Sequence, residues 1–177
     1  ITGGSSSGSG ASVAGRLVYG ALGSDTGGSI RLPAQCCGLV GIKGTYGLVS
    51  RYGAMPLSYS LDHVGPLTRT VEDSALMLQA IAGHDPNDPT TSHREVPDYL
   101  EGICDGVKGM RIGVPQNHCY DPVEDTVREA LETSLNVYRE LGAQSVPLHA
   151  ESIEAANRFA NVVMATEAAT YHSKWVR

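Results

Sequence analysis

Two glycine- and serine-rich stretches within the first 33 residues constrain this chain more than any other feature of its sequence. The first loop, residues 3–10, reads GGSSSGSG, and the second loop, residues 23–33, reads GSDTGGSIRLP. Glycine permits backbone conformations and close approaches that other residues resist, and successive N–H groups in such loops can converge on one anion. The two stretches therefore predict a pair of loops that place serine hydroxyls beside a cup of backbone amides.

Several further segments, together with the two loops, resemble the amidase signature family of serine hydrolases. The similar segments run almost continuously over residues 3–83 and include CGLVGIK at 37–43, TYGLVSRYG at 45–53, SLDHVGPLTR at 60–69 and VED at 71–73. The resemblance implies the α/β fold of that family, a mixed, largely parallel sheet sandwiched by helices. It also implies that residues 1–177 form part of a single amidase signature domain with no internal boundary.

The resemblance assigns roles to individual residues of the two loops. It implies that Ser29 is the nucleophile that attacks an amide carbonyl, and that Ser5, entered through a cis peptide bond, relays the proton. A serine hydroxyl is a weak nucleophile that needs a base within reach, and Asp25 and Arg31 are expected to brace the loop without reacting. The developing oxyanion needs preorganised donors, and the expected ones are the backbone N–H groups of Thr26, Gly27 and Gly28.

The general base of the family is a lysine that lies upstream of the first loop. The lysines of this chain all lie downstream of both serines, at Lys43, Lys108 and Lys174. Of these, Lys43 falls at a structural Gly-Ile-Lys position of the family. Because the sequence opens on Ile1, immediately before the first loop, we expect a fragment whose missing N-terminal part carries the lysine. The alternative is a lysine-less relative that binds without hydrolysing.

The resemblance implies an amidase that converts a small-molecule carboxylic amide to an acid and ammonia or amine through a seryl acyl-enzyme. One branch of the family is instead an A-type subunit of a glutamine-dependent amidotransferase that acts on misacylated tRNA. Residues 57–63 read LSYSLDH, which differs from the ASSLDQ associated with that branch and favours a free-standing amidase. A homodimer is kept as an option for the oligomeric state.

Composition excludes several other classes of protein. The formal net charge of −6 offers no basic patch for direct nucleic-acid binding, and no stretch approaches the ~20 apolar residues of a membrane span. The six histidines show no zinc-ligand spacing, so we predict no metal and no cofactor. The cysteines lack a Cys-x-x-Cys pair, which favours reduced thiols in a cytoplasmic protein; they are Cys36, Cys37, Cys104 and Cys119.

The sequence also raises two alternative enzyme classes. Residues 2–10 resemble the Thr-Gly-x-x-x-Gly-x-Gly fingerprint of dinucleotide-binding dehydrogenases, but the spacing is one residue too long. Residues 171–174 are likewise one residue short of a Tyr-x-x-x-Lys pair. A cysteine nucleophile is the second alternative, although none of the cysteines lies in an activating motif. Neither alternative is supported by a similarity as long as that of residues 3–83.

Periodicity predicts the remaining elements. The small and apolar residues 11–19 favour a helix, and residues 39–42 a short buried strand. Thr70 is the expected N-cap of a helix that Gly83 terminates, with Asp73 completing a variant capping box. Strands are expected at 110–114 and 144–148, separated by a helix from Pro122 to about 141, and Ser152 begins a last helix. This alternation of strands and helices predicts parallel pairing.

Overall fold

The computed structural model of the protein describes residues 1–117 and 123–175, and these residues form a mixed α/β structure, as predicted. Cys119 and the predicted helix start at Pro122 lie outside the described residues. The elements are α1 Ser7–Ala14, β1 Gly20–Asp25, α2 Arg31–Cys37, β2 Val40–Gly41, β3 His63–Thr68, α3 Val71–Ile81, β4 Arg111–Pro115, α4 Asp125–Glu140, β5 Gln144–Leu148 and α5 Ile153–His172.

The chain divides into two compact units, each with its own sheet. The first unit comprises Ile1–Glu101 with Ala160–Arg177, and its three strands pair in the order β1-β3-β2. Every pairing in that sheet is antiparallel, which the sequence did not predict. The second unit, Gly102–Phe159, contains the parallel pair β4 and β5. That all 177 residues belong to one domain stays a prediction.

A pair of glycines explains why β1 reads as a loop in the sequence although it is a strand. Gly23 faces Gly65 across the β1–β3 ladder. A Cβ at Gly23 would lie 2.7 Å from Ser6 Oγ, and one at Gly65 would overlap the carbonyl oxygen of Ile42. Both positions therefore need glycine for close packing, and the low strand propensity of glycine is overridden by tertiary contacts.

The first helix lies earlier in the chain than predicted. Helix α1 covers Ser7–Ala14, whereas the sequence favoured residues 11–19. The helix stops because Gly15 is its C-cap and Arg16 adopts a left-handed φ of +59°. It starts within the serine-rich loop because Gly10 is buried against Pro33, whose Cβ would lie 3.2 Å from an added methyl group. Packing at Gly10 thus outweighs the weak helix propensity of glycine.

The other predicted elements are present, with small differences at their ends. The side chain of Thr70 caps α3 by accepting the N–H of Asp73 at 3.1 Å, and β5 has the predicted limits. Helix α4 ends at Glu140, shortly before Gly142, which has a left-handed φ of +91°. The core of the first unit contains Ile30, Ala34 and Leu67, with Leu39 packed against them. Among residues 1–117 and 123–175, no helix has the length and apolar character needed to cross a membrane.

Candidate active site

The structure brings the two glycine- and serine-rich loops into contact at the end of β1. The N–H of Ser6 donates to the carbonyl oxygen of Ser29 at 3.3 Å. The hydroxyl of Ser6 accepts the N–H of Ser24 at 3.1 Å and donates to its carbonyl at 3.2 Å. The peptide bond between Gly4 and Ser5 is cis, as the resemblance implies. The first loop is therefore fixed along the strand that leads into the second loop.

A cavity of about 610 Å³ opens at this junction. Two serines and a threonine line it, Ser5, Ser24 and Thr26, together with apolar residues that include Met55 and Leu57. The predicted nucleophile Ser29 is half-buried and is not among the lining residues. Within the described part of the chain, no hydrogen bond joins the side chains of Ser5 and Ser29. The catalytic roles of both serines therefore stay predictions.

Asp25 braces the second loop, as expected from the sequence. Its side chain is completely buried and accepts the N–H groups of Gly28 at 2.7 Å and Ile30 at 3.1 Å. Arg31 adds a two-pronged ion pair through Nε at 3.0 Å and a terminal nitrogen at 2.9 Å. Burial alone would raise the pKa of Asp25, but the bonds from Arg31, Ile30 and Gly28 outweigh it and lower that pKa to about 2. The carboxylate is thus charged at any physiological pH.

This brace bears on the predicted oxyanion donors. Because the N–H of Gly28 already donates to Asp25, an oxyanion would have to share that group with a carboxylate. Gly28 also has a φ of +132°, a backbone conformation that favours glycine. At Gly27, by contrast, an added Cβ would meet open space. Asp25 accepts the N–H groups of Gly28, Ile30 and Arg31, so of the predicted donors it is Gly28 that is shared with the brace.

One side of the cavity is formed by residues 56–62, here called the cavity wall. Asp62, only 9% exposed, holds the wall by accepting the N–H of Leu57 at 2.8 Å and the N–H of Ser58 at 3.0 Å. The same carboxylate accepts the hydroxyl of Thr26 at 2.5 Å. From the sequence, Asp62 has no expected role beyond its place in the similar segment 60–69.

Helix α5 holds the cavity wall from its other side. Glu167 accepts the hydroxyls of Ser58 at 2.5 Å and Ser60 at 2.7 Å, and also the N–H of Ser60 at 3.0 Å. These bonds, led by the one from Ser58, lower the pKa of the Glu167 carboxyl. On the same helix His172 lines the cavity, with Nε2 3.0 Å from the carbonyl oxygen of Pro56. No local pattern signals these contacts, because more than one hundred residues separate the partners.

The cation that lines the cavity is bound within the protein. The guanidinium of Arg51 donates to the carbonyl of Tyr59, to the hydroxyl of Tyr46 at 2.8 Å and to the hydroxyl of Thr90 at 3.0 Å. It also lies over the rings of Tyr46 and Tyr59, 4.7 and 4.9 Å from their centres. With Asp88 3.9 Å from its Nε, Arg51 supports the cavity instead of presenting an open fork to a ligand.

A second histidine at the cavity, His63, is similarly engaged. His63 Nδ1 lies 2.7 Å from the carbonyl oxygen of Leu61, and a carbonyl can only accept, so Nδ1 carries the proton. Nε2 then accepts from the ammonium of Lys43 at 3.3 Å, which also donates to Gly44 at 2.9 Å. Lys43 is thus engaged with Gly44 and His63, and its structural role stays a prediction. Among the described residues, no group of three or more His, Cys, Asp or Glu side chains could hold a metal.

Comparison with known proteins identifies the class. The family model described as Amidase matches residues 1–176. The chain is 55% identical over 143 residues to the A-type subunit of glutamyl-tRNA(Gln) amidotransferase from Ligilactobacillus salivarius, covering 81% of this chain and 29% of that protein. The crystal structure of the corresponding Thermotoga maritima protein is similar with a TM-score of 0.92 at 44% identity, covering 96% of this chain and 37% of that one.

A second class of solved structure is similar over the same region. The peptide amidase of Stenotrophomonas maltophilia matches with a TM-score of 0.85 at 36% identity, covering 98% of this chain and 37% of that chain. The protein therefore belongs to the amidase family, and its fold is that of the amidase signature enzymes. The chain spans less than a third of the length of the curated relative from Ligilactobacillus.

Proposed function

We propose that this chain supplies the nucleophilic half of an amidase site. The hydroxyl of Ser29 attacks the amide carbonyl, and its proton passes through Ser5 to a base. The carbon–nitrogen bond breaks as the base returns the proton to the leaving nitrogen, and water then cleaves the seryl ester. The backbone N–H groups of Thr26 and Gly27, with that of Gly28 shared, stabilise the oxyanion.

The observation that carries this proposal is the contact between the two serine loops. The N–H of Ser6 donates to the carbonyl of Ser29 at 3.3 Å, which ties the residue after Ser5 to the proposed nucleophile. Relatives are about three times as long as the matched segment, so we propose that a lysine outside these 177 residues is the base. Its pKa must be lowered by burial for it to accept a proton at neutral pH.

For the substrate, we propose the side-chain amide of glutamine, with ammonia delivered to partner subunits that amidate a misacylated tRNA. The curated relatives at 51–55% identity carry the name of the A-type component of that amidotransferase, and this supports the amidotransferase over the free-standing amidase that residues 57–63 favoured. The enzyme would work in the cytoplasm, where free thiols such as Cys36 and Cys37 stay reduced. A homodimer stays a prediction.

A free-standing amidase is the second candidate, supported by the similarity to the peptide amidase and by the largely apolar residues around Met55 and Leu57 in the cavity. Ammonia release from glutamine and from peptide amides distinguishes the two. We expect the full-length protein to release ammonia from glutamine, faster once partner subunits and misacylated tRNA are added. Faster turnover of peptide amides without any partner would favour the second candidate.

The nucleophile is tested separately with a fluorophosphonate probe on the full-length protein. We expect the label on the peptide containing Ser29, and we expect Ser29→Ala to remove label and turnover by at least about 10⁴-fold. Ser5→Ala should leave a small remnant of activity. Ser134, whose hydroxyl donates to the carbonyl oxygen of Ala130 within helix α4, provides the matched control Ser134→Ala. Equal activity of Ser29→Ala and wild type would overturn the proposal, and absence of labelling would support a non-catalytic binding module.

A further inference from the structure

The carboxylate of Asp62 lies where the cavity wall meets the second loop. Strand β3 begins at His63, which pairs with Asp25 at the end of β1. Continuing the same antiparallel register by one residue brings Asp62 opposite Thr26. The ladder itself therefore delivers a buried acid to the side chain that begins the predicted oxyanion loop.

The bonds of this carboxylate join two parts of the site. Oδ1 accepts the hydroxyl of Thr26 at 2.5 Å, and Oδ2 accepts the N–H of Leu57 at 2.8 Å. The N–H of Ser58 lies 3.1 Å from Oδ1 and 3.0 Å from Oδ2, so both oxygens receive it. Hydrogen bonds to an ionised carboxylate are about twice as strong as neutral ones. Asp62 is thus held by three donors at an exposure of 9%.

We propose that Asp62 is a positioning residue for the attack by Ser29, acting through Thr26. This inference rests on the proposed function, because it assumes that the backbone N–H groups at Thr26 and Gly27 receive the oxyanion. By fixing the Thr26 side chain, Asp62 fixes the direction of those N–H groups at the point where β1 ends. A displacement of about 1 Å in such a group can cost on the order of 100-fold in rate.

The geometry argues against a direct chemical role for Asp62. Its oxygens are filled by donors from the chain itself, so a proton taken from a substrate would first have to displace one of them. Thr26, by contrast, lines the cavity and has its hydroxyl proton directed to Asp62. The effect of Asp62 on the reaction must therefore travel through the bond to Thr26, which a pair of substitutions can test.

The experiment measures the rate at which a fluorophosphonate labels Ser29 in the full-length protein. The variants are Asp62→Asn, Thr26→Val and the double variant, with Thr26→Ser as the conservative rescue. We expect each single variant to slow labelling by about tenfold. The double variant should be no slower than the slower single variant, and Thr26→Ser should restore most of the rate lost in Thr26→Val. Melting temperatures identify any variant that fails to fold.

Each outcome decides one point. If wild type labels at Ser29 and Asp62→Asn labels equally fast, the positioning role is wrong while the nucleophile stands. If the two single effects multiply in the double variant, Asp62 does not act through Thr26 and the inference is again overturned. If Asp62→Asn does not fold, the Thr26 pair decides, because a normal rate in Thr26→Val contradicts the inference. If wild type is not labelled at Ser29, the proposed function fails and this inference with it.

Discussion

The two serine loops and the cavity wall line one cavity, yet they are held in different ways. The loops are fixed mainly by partners within the first 31 residues, such as Ser6 with Ser24 and Gly28 with Asp25. The wall is tied internally by its own Asp62, which accepts the N–H of Leu57, and from outside by Glu167, more than one hundred residues away. The comparison teaches that the serine loops are built mostly from contacts within the N-terminal segment, whereas the cavity wall also needs a carboxylate from a distant part of the chain.

The largest expected effect tests whether the loops depend on their own brace. Asp25→Asn removes the negative charge that accepts hydrogen bonds from Gly28, Ile30 and Arg31. The buried N–H donors are then poorly paired. We expect the free energy of unfolding to fall by about 3 kcal/mol, measured by denaturant titration of the full-length protein. Asp105, an exposed residue of a turn, gives the control Asp105→Asn, which should change it by less than about 0.5 kcal/mol. A similar change in both variants would contradict the brace.

The same brace predicts a pH dependence. Folding lowers the pKa of Asp25 from its ordinary value of 3.8 to about 2, so its contribution to stability is fully present above pH 3.8 and is lost as pH falls through about 2. The contribution is on the order of 2 kcal/mol. Melting temperatures of wild type should therefore decline more steeply below pH 4 than those of Asp25→Asn. Parallel curves for the two proteins would show that another group titrates there.

The next effect concerns the sheet that carries the loops. Gly65→Ala places a methyl group against the carbonyl of Ile42, where a Cβ would overlap the oxygen, and backbone cannot move aside as a flexible side chain can. We expect a loss of about 2–3 kcal/mol in stability. Gly8→Ala is the matched control, because a Cβ there meets open space inside α1, and it should add about 0.5–1 kcal/mol. Loss of stability in both would mean that packing at Gly65 is not the cause.

A smaller effect is expected on substrate binding, and it tests the role of the cavity wall. Glu167→Gln weakens the bonds to Ser58 and Ser60 that hold the cavity wall, so we expect KM to rise by about threefold to tenfold with kcat little changed. Because the pKa of Glu167 is lowered in the folded protein, the tie is present at neutral pH and weakens as pH falls below the ordinary glutamate range. Glu132 on α4 provides the control Glu132→Gln. A fall in kcat at constant KM would instead indicate that Glu167 acts on the two serine loops.

The smallest effect serves as a reference outside both regions. Thr70→Val removes the hydroxyl that accepts the N–H of Asp73, which should cost about 1 kcal/mol of stability and leave KM and kcat unchanged. Thr70→Ser keeps the cap and should have nearly the stability of wild type. A change in KM would show that α3 and the cavity are coupled. Helix α3 would then have to be considered together with the serine loops and the cavity wall.

Local rules in the sequence predicted those features that depend on near neighbours. The cap at Thr70, the strand β5 and the brace of Asp25 by Arg31 all involve partners within a few residues. The family resemblance predicted the fold class. The parallel pairing expected from the alternating strands and helices would not have been enough, because it is found in the second unit and the sheet of the first unit is antiparallel. The proposed substrate class came from relatives, because residues 57–63 pointed to the other branch.

The features that the sequence missed depend on contacts made at a distance. Strand β1 is glycine-rich because Ser6 and β3 approach it closely, so its propensity is that of a loop. Helix α1 forms across serines and glycines because Gly10 packs on Pro33. Glu167 has no local signal, since its serine partners are 107 and 109 residues away. In each case tertiary packing, and not local propensity, determines the element or the contact that forms.

The glycine pair that locks β1 to β3 also sets limits on how this protein can change over evolutionary time. Because a side chain at Gly23 would meet Ser6 and one at Gly65 would meet the carbonyl oxygen of Ile42, mutation to another residue is disfavoured at both positions. The register that pairs them also places Asp25 opposite His63, so the end of the ladder and the adjoining bond from Thr26 to Asp62 are inherited together with the two glycines. Variation is expected to collect instead at exposed positions of the neighbouring loop, such as Tyr52 and Met55.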